Sequence, residues 1–249
     1  MAEPLLETRD LCKRFGGIAA TDHLSLDVQP GELHALIGPN GAGKNTLISQ
    51  VSGTLKPTSG SIRFEGRDIT ACPPWDRALA GLARSFQITS LCPTFTALQN
   101  VMLAVQARAG HSFRFWHNAD ADRGLTTPAL AALDQVGLSD RAGIKAGVMS
   151  HGEHRQLELA MALAMAPKLL LLDEPMAGLD RSASEDMTRL ILEIKSRYTI
   201  LLVEHDMDAV FALADRVTVL VYGRAIATGS VAAIRADPAV REAYLGEEE

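Results

Sequence analysis

Three short runs, Leu169–Leu172, Thr199–Val203 and Val217–Val221, are apolar on both of the faces a strand would present. A half-wet strand alternates apolar and polar residues. A run apolar on both sides must be covered on both sides, as strands of a parallel sheet between helices are. Helical patterns between successive runs supply the cover. Earlier in the chain, Leu24–Val28 alternates, Leu33–Ile37 ends at a glycine-rich turn, and Ser61–Phe64 is another short strand. This early part reads as strand-rich, with one helix from about Lys44 to Val51. The middle changes character. Ala97–Arg108 and Ala129–Val136 have helical spacing with few β-branched residues, and Glu153–Met165 is a further helix stopped by Pro167. The pattern predicts an α/β core interrupted by a helical lobe at roughly residues 88–165, within one unit spanning 1–249.

Composition narrows the function. Of 249 residues, 47% are hydrophobic, which suits a globular unit with a large core. The formal net charge of -6 argues against a nucleic-acid partner, since phosphate neutralisation needs a clustered basic surface. Cys12, Cys72 and Cys92 are far apart in sequence with no metal-ligand spacing, and read as reduced thiols without a role. The start carries no targeting pattern. The most apolar stretch, Leu157–Leu172, is broken by Glu158, Pro167 and Lys168, where a spanning helix needs about 20 apolar residues. The chain is expected to be soluble and to reach a membrane only through another subunit.

The strongest chemical signal is Gly38-Pro39-Asn40-Gly41-Ala42-Gly43-Lys44, between a strand and a helix. Glycines let backbone N–H groups curl around a phosphate chain, the helix turns its positive end toward that charge, and Lys44 supplies a cation for the terminal phosphates. The next position should be a Ser or Thr whose hydroxyl ligates Mg²⁺. Here it is Asn45, followed by Thr46. An amide oxygen also ligates hard cations, but Mg²⁺ demands near-ideal octahedral geometry, so ATP binding is expected to survive while turnover falls. The second signal is Leu169–Leu172 followed by Asp173-Glu174-Pro175, a buried strand ending in two carboxylates. Asp173 is expected to hold Mg²⁺ and Glu174 to orient or deprotonate the attacking water.

With these motifs the sequence resembles the ABC transporter ATPase family over essentially the whole chain. The resemblance implies a P-loop NTPase core with an N-terminal antiparallel β subdomain and an inserted α-helical lobe. Met149-Ser150-His151-Gly152-Glu153 stands where this family has its Leu-Ser-Gly-Gly-Gln signature, keeping Ser150 and Gly152. A Ser cap and a Gly open a helix whose N-terminus is an anion site, and the resemblance gives it the γ-phosphate held by the opposite subunit. It also makes Gln87 the glutamine that senses the Mg²⁺–water site, Ala177–Asp180 the D-loop, His205 the γ-phosphate switch and Phe15 the adenine-stacking aromatic. The stretches Leu201–Met207, Val219–Arg224 and Ala243–Gly246 look like the ATPases of branched-chain amino acid importers. Near relatives energise uptake of urea, other amides or amino acids, or lipopolysaccharide export. The partners implied are transmembrane permease subunits, a second identical or paralogous ATPase and, indirectly, a periplasmic binding protein. The place implied is the cytoplasmic face of the cell membrane.

Other features are read plainly. Met161 and Met165, four apart on a helix, read as core packing, and Trp75 and Trp116 as surface or lobe packing. The aromatic-basic segment His111–Trp116 fits a local hydrophobic staple at least as well as a contact with a membrane-domain loop. A non-transport relative acting on DNA would carry coiled coils, zinc modules or basic runs, none of which is present in the sequence. A hydrolysis-impaired nucleotide-binding subunit rests on Asn45 alone.

Overall fold

The computed structural model describes residues 3–85, 91–110 and 122–242. The N-terminal part is an antiparallel sheet built from β1 (Leu6–Phe15), β2 (Ile18–Val28), β4 (Ser59–Phe64) and β5 (Arg67–Asp68), in the order β2-β1-β4-β5. Between them run β3 (Leu33–Ile37) and α1 (Lys44–Ser52). After α2 (Pro74–Ala80) come β6 (Leu82–Arg84), then α3 (Ala97–Ala109), α4 (Arg123–Gln135) and α5 (His151–Ala164). The chain returns through β7 (Leu169–Asp173), α6 (Arg181–Ile194), β8 (Thr199–Val203), α7 (Met207–Leu213), β9 (Arg216–Val221) and β10 (Arg224–Gly229). It ends in α8 (Val231–Ala236) and α9 (Pro238–Val240).

The second sheet has the order β10-β9-β3-β8-β7-β6. All its pairings are parallel except β9 with β10. The double-sided apolar runs are its central strands. Leu169 and Leu171 face a cluster containing Leu47, Ile48 and Val51 of α1 and Leu6, Leu26 and Ile62 of the antiparallel sheet. Leu170 and Leu172 face the opposite cluster, with Val101, Leu133 and Leu157 from α3, α4 and α5. Each leucine is worth about 1.5–3 kcal/mol when fully buried, so one charge placed in β7 would disrupt two cores together.

The helices α3, α4 and α5 pack on one another and on that second face. Met161 and Met165 are partly buried against this cluster, and Trp75 stands 67% exposed on α2. The segment His111–Trp116 lies outside the described residues, as do Gln87 and Ala243–Gly246. Among the described residues no helix is long and apolar enough to cross a membrane.

Candidate active site

The phosphate loop leaves β3 at Ile37 and is shaped by close approach. Gly38 has φ 149, and a Cβ on it would fall 2.1 Å from the Leu220 carbonyl oxygen. Gly43 has φ 104, and its Cβ would fall 2.2 Å from the carbonyl oxygen of Ala20. Neighbouring strands therefore exclude any side chain there, and the backbone of the loop is left bare. Gly43 is also the N-cap of α1, with no side-chain cap and no acid in the first turn. The leading N–H groups of α1 thus meet no side chain of their own helix, and its positive end is uncompensated.

Lys44 is buried, and its Nζ donates to the carbonyl oxygens of Gly38 at 2.5 Å and Pro39 at 3.1 Å. Burial pulls its pKa below the usual lysine value, while the carboxylates of Glu174 and Asp173 pull the other way. A cleft of about 250 Å³ is lined by Asn40, Gly41, Ala42, Gly43, Lys44, Asn45, Thr46, Ala20 and Glu174.

Strand β7 brings the two acids to this point. Glu174 has φ 51, a left-handed turn at a non-glycine residue, which swings the chain off the sheet directly after Asp173. Asp173 has a fully buried side chain, and its Oδ2 receives Arg84 Nη2 at 2.8 Å. Its other oxygen, Oδ1, is buried without a protein partner among the described residues. That oxygen and the amide oxygen of Asn45, which lines the cleft, are each hard oxygen donors of the kind Mg²⁺ takes. The Asn45 oxygen sits one bond further from the backbone than a serine hydroxyl would.

The predicted signature residues lie elsewhere. Ser150 caps α5, its Oγ accepting from Glu153 N at 3.2 Å while its own N–H donates to Glu153 Oε2 at 2.7 Å. Arg141 Nε stands 2.6 Å from the other carboxylate oxygen. The backbone N–H of Ser150, with Arg141, holds the Glu153 pKa below the usual carboxylate range. A Cβ on Gly178 would lie 3.1 Å from His151 Nε2, and one on Gly152 would lie 3.5 Å from the Ala183 Cβ, so this end of α5 abuts the D-loop and the start of α6. His205, with a side chain 61% exposed, lines a separate cleft of about 800 Å³ with Gly178, Glu204 and Asp206. The structure therefore gathers Asn40–Thr46 and Glu174 at one cleft, with Asp173 and Arg84 behind it, and leaves Ser150, Gly152 and His205 outside that lining. Phe15 is 52% exposed at the end of β1, with Lys13 Nζ 5.3 Å from its ring centre, which excludes a core role.

Two residues escaped the sequence reading. Arg84 also reaches Ser52 Oγ on α1 at 3.3 Å, tying the phosphate-loop helix to Asp173. Glu204 is fully buried, its Oε1 accepting from Met176 N and its Oε2 from His205 N, each at 3.0 Å. Burial pushes its pKa up against the opposing backbone N–H donors of Met176, His205 and Asp206. No linear pattern marks either residue, since each acts across strands distant in sequence. A groove of about 270 Å³ is a further feature, lined by Leu82, Ala83, Leu91, Ala104, Met161 and Met165 among others.

Comparisons with known proteins agree on one family. The family described as "ABC transporter" matches residues 21–177, and "Branched-chain amino acid ATP-binding cassette transporter" matches residues 226–249. The chain is 36% identical to the high-affinity branched-chain amino acid transport ATP-binding protein LivG of Escherichia coli, over 99% of this chain and 100% of that one. It is 36% identical to BraF, of the same description, from Pseudomonas aeruginosa, again over 99% and 100%. A nucleotide-free ATP-binding cassette from an ABC transporter superposes with TM-score 0.86 at 32% identity, covering 98% of this chain and 100% of that chain. An ABC transporter ATP-binding cassette in its ADP conformation superposes with TM-score 0.86 at 31% identity, over 99% of this chain and 100% of that chain.

Proposed function

The chain belongs to the ABC transporter ATP-binding family, and on that premise we propose that it binds and hydrolyses ATP to drive an importer of branched-chain amino acids. The observation that carries the reading is the single cleft in which the bare phosphate loop, Lys44 and Glu174 meet. The cargo comes from the relatives, since this chain's own residues never touch it.

In this reading the β- and γ-phosphates lie along Gly41–Thr46, and Lys44 exchanges the Gly38 and Pro39 carbonyls for phosphate oxygens. Asp173, Asn45 and Gln87 would hold Mg²⁺, which would supply charge neutralisation on the phosphates. Glu174 takes up or orients the proton of the attacking water. Ser150 and Gly152 of a second ATPase subunit, identical or paralogous, close over the γ-phosphate, and His205 contacts it. Phe15 stacks on the adenine. The whole chain acts as one nucleotide-binding domain with its helical lobe at roughly 88–165. The permease subunits dock on the lobe side, where the apolar groove beside Met161 and Met165 offers them a seat. A periplasmic binding protein delivers cargo from the other side of the membrane, and this subunit works on the cytoplasmic face.

Asn45 is exposed in the cleft and favours slow turnover over lost binding. Steady-state hydrolysis and ATP affinity of the wild type beside Asn45→Thr test this. Faster hydrolysis by Asn45→Thr at unchanged affinity is expected. Equal rates would mean that the amide replaces the hydroxyl adequately. Absence of ATP binding in both would remove the reading itself.

A further inference from the structure

The hairpin of β1 and β2 carries three register irregularities, of which the first two offset each other. Thr8 pairs with Leu26 and Leu11 with Leu24, so two residues of β1 oppose one of β2. Leu11 pairs with Leu24 and Lys13 with Thr21, so next two residues of β2, Asp22 and His23, oppose Cys12 alone. Each of these first two holds a non-glycine residue in the left-handed region, Asp10 at φ 46 and His23 at φ 50. A bulge turns its extra side chain toward the partner strand's side chain instead of letting it alternate away. Here the result is chemical, because a thiol, a carboxylate and an imidazole are brought together.

One ligand atom each of Cys12, Asp22 and His23 lies within 4.8 Å of the others. The thiol forms the floor, since Cys12 is 8% exposed, and His23 forms the rim with its side chain 70% exposed. Existing contacts leave the donors free. Arg224 approaches Asp22 only through Oδ2, at 2.6 Å from Nη2 and 2.7 Å from Nε, which leaves Oδ1 open. Among the described residues, Cys12 Sγ accepts from His23 N–H at 3.2 Å. Asp10 Oδ1 lies 3.8 Å from His23 Nδ1, the kind of carboxylate that orients a ligating imidazole from behind.

We propose that Cys12, Asp22 and His23 form a binding site for a thiophilic divalent cation of the Zn²⁺ class. A thiolate, an imidazole and a carboxylate are the mixed donor set such ions take, and the two anionic donors balance its charge. Mg²⁺ is a poor match, because it avoids sulfur and demands oxygen in octahedral array. The site is separate from the nucleotide cleft, and its residues are too scattered in sequence for ligand spacing to reveal them. Exposed His23 is the ligand that must swing inward to close the shell.

The test is titration of the nucleotide-free full-length protein with Co²⁺, then Zn²⁺, following the thiolate-to-cobalt charge-transfer absorption and the binding heat. One saturable equivalent with a thiolate band, displaced by Zn²⁺, is expected. Cys12→Ser should lose the band, whereas Cys72→Ser and Cys92→Ser should keep it. His23→Gln, an exposed change with little effect on folding, should weaken Zn²⁺ binding at least about tenfold, and Asp10→Asn about tenfold. No thiolate band in the wild type, or one that survives Cys12→Ser or is unmoved by His23→Gln, would overturn the site.

Discussion

The N-termini of α1 and α5 are both expected to receive phosphate, yet they are built in opposite ways. Helix α1 starts from Gly43 with no side-chain cap and no first-turn acid, so its positive end is open. Helix α5 starts from Ser150 in a complete capping box, and its third residue is an ionised glutamate paired with Arg141. One end is made to receive an anion and the other has already supplied its own. The difference implies an order of events. On the proposed reading, phosphates would settle on α1 first, and α5 would contribute only when a second subunit brings its capped end against charge already in place.

Glu174→Gln gives the largest expected effect. Removing the proposed base at the α1 cleft should lower hydrolysis by about 10²–10⁴-fold while ATP affinity holds. Equal losses in rate and affinity would show that Glu174 shapes the cleft instead of acting on water. Lys44→Ala comes next, because it removes a charge-assisted contact worth about 1.5–3 kcal/mol, or roughly ten- to a hundredfold in ATP affinity. Isothermal titration reads it, and an unchanged affinity would mean that the open end of α1 does not bind phosphate. At the other helix, Glu153→Gln keeps a capping oxygen and removes the charge. In a Glu174→Gln background, ATP-driven dimerisation measured by sedimentation should tighten by about 0.3–1 kcal/mol. Weaker dimers would mean that the Arg141 pair matters more than the freed anion site.

The smallest effect concerns Glu204, whose carboxyl accepts from Met176 N and His205 N. Its folded-state pKa is raised by burial, so its protonated form is favoured in the folded protein. That contribution is complete below the ordinary glutamate pKa and is lost as pH rises through the raised value. The thermal midpoint of Glu204→Gln, relative to wild type, should therefore climb as pH increases from the acidic range toward neutrality. A difference independent of pH would show that Glu204 stays ionised in the fold.

These contrasts follow what the sequence could reveal. The parallel sheet was legible because Leu169–Leu172 and Thr199–Val203 fill two cores at once, and only a covered strand needs that. The phosphate loop was legible because its glycines are imposed by close backbone approach at Gly38 and Gly43. The Arg84–Asp173 pair was not, since it joins strands that become neighbours only through β6 and β7 pairing. The antiparallel sheet was only partly legible. The alternation of Leu24–Val28 was visible, but the bulges that set Cys12 against Asp22 and His23 leave no mark in hydropathy. The openness of one helix end and the closure of the other were half visible, because Ser150 and Glu153 spell a capping box while Arg141 joins only in the fold.

The hold of Lys44 on the Gly38 and Pro39 carbonyls bears on how spent nucleotide departs. A buried ammonium abandoned by its phosphate would be a stranded charge, and the cost of stranding it would slow product release. Here the ammonium has a resting place two hydrogen bonds deep within its own loop. On the proposed reading, departure of the product would be a swap of acceptors, and the loop would regain its shape unaided, ready for the next nucleotide.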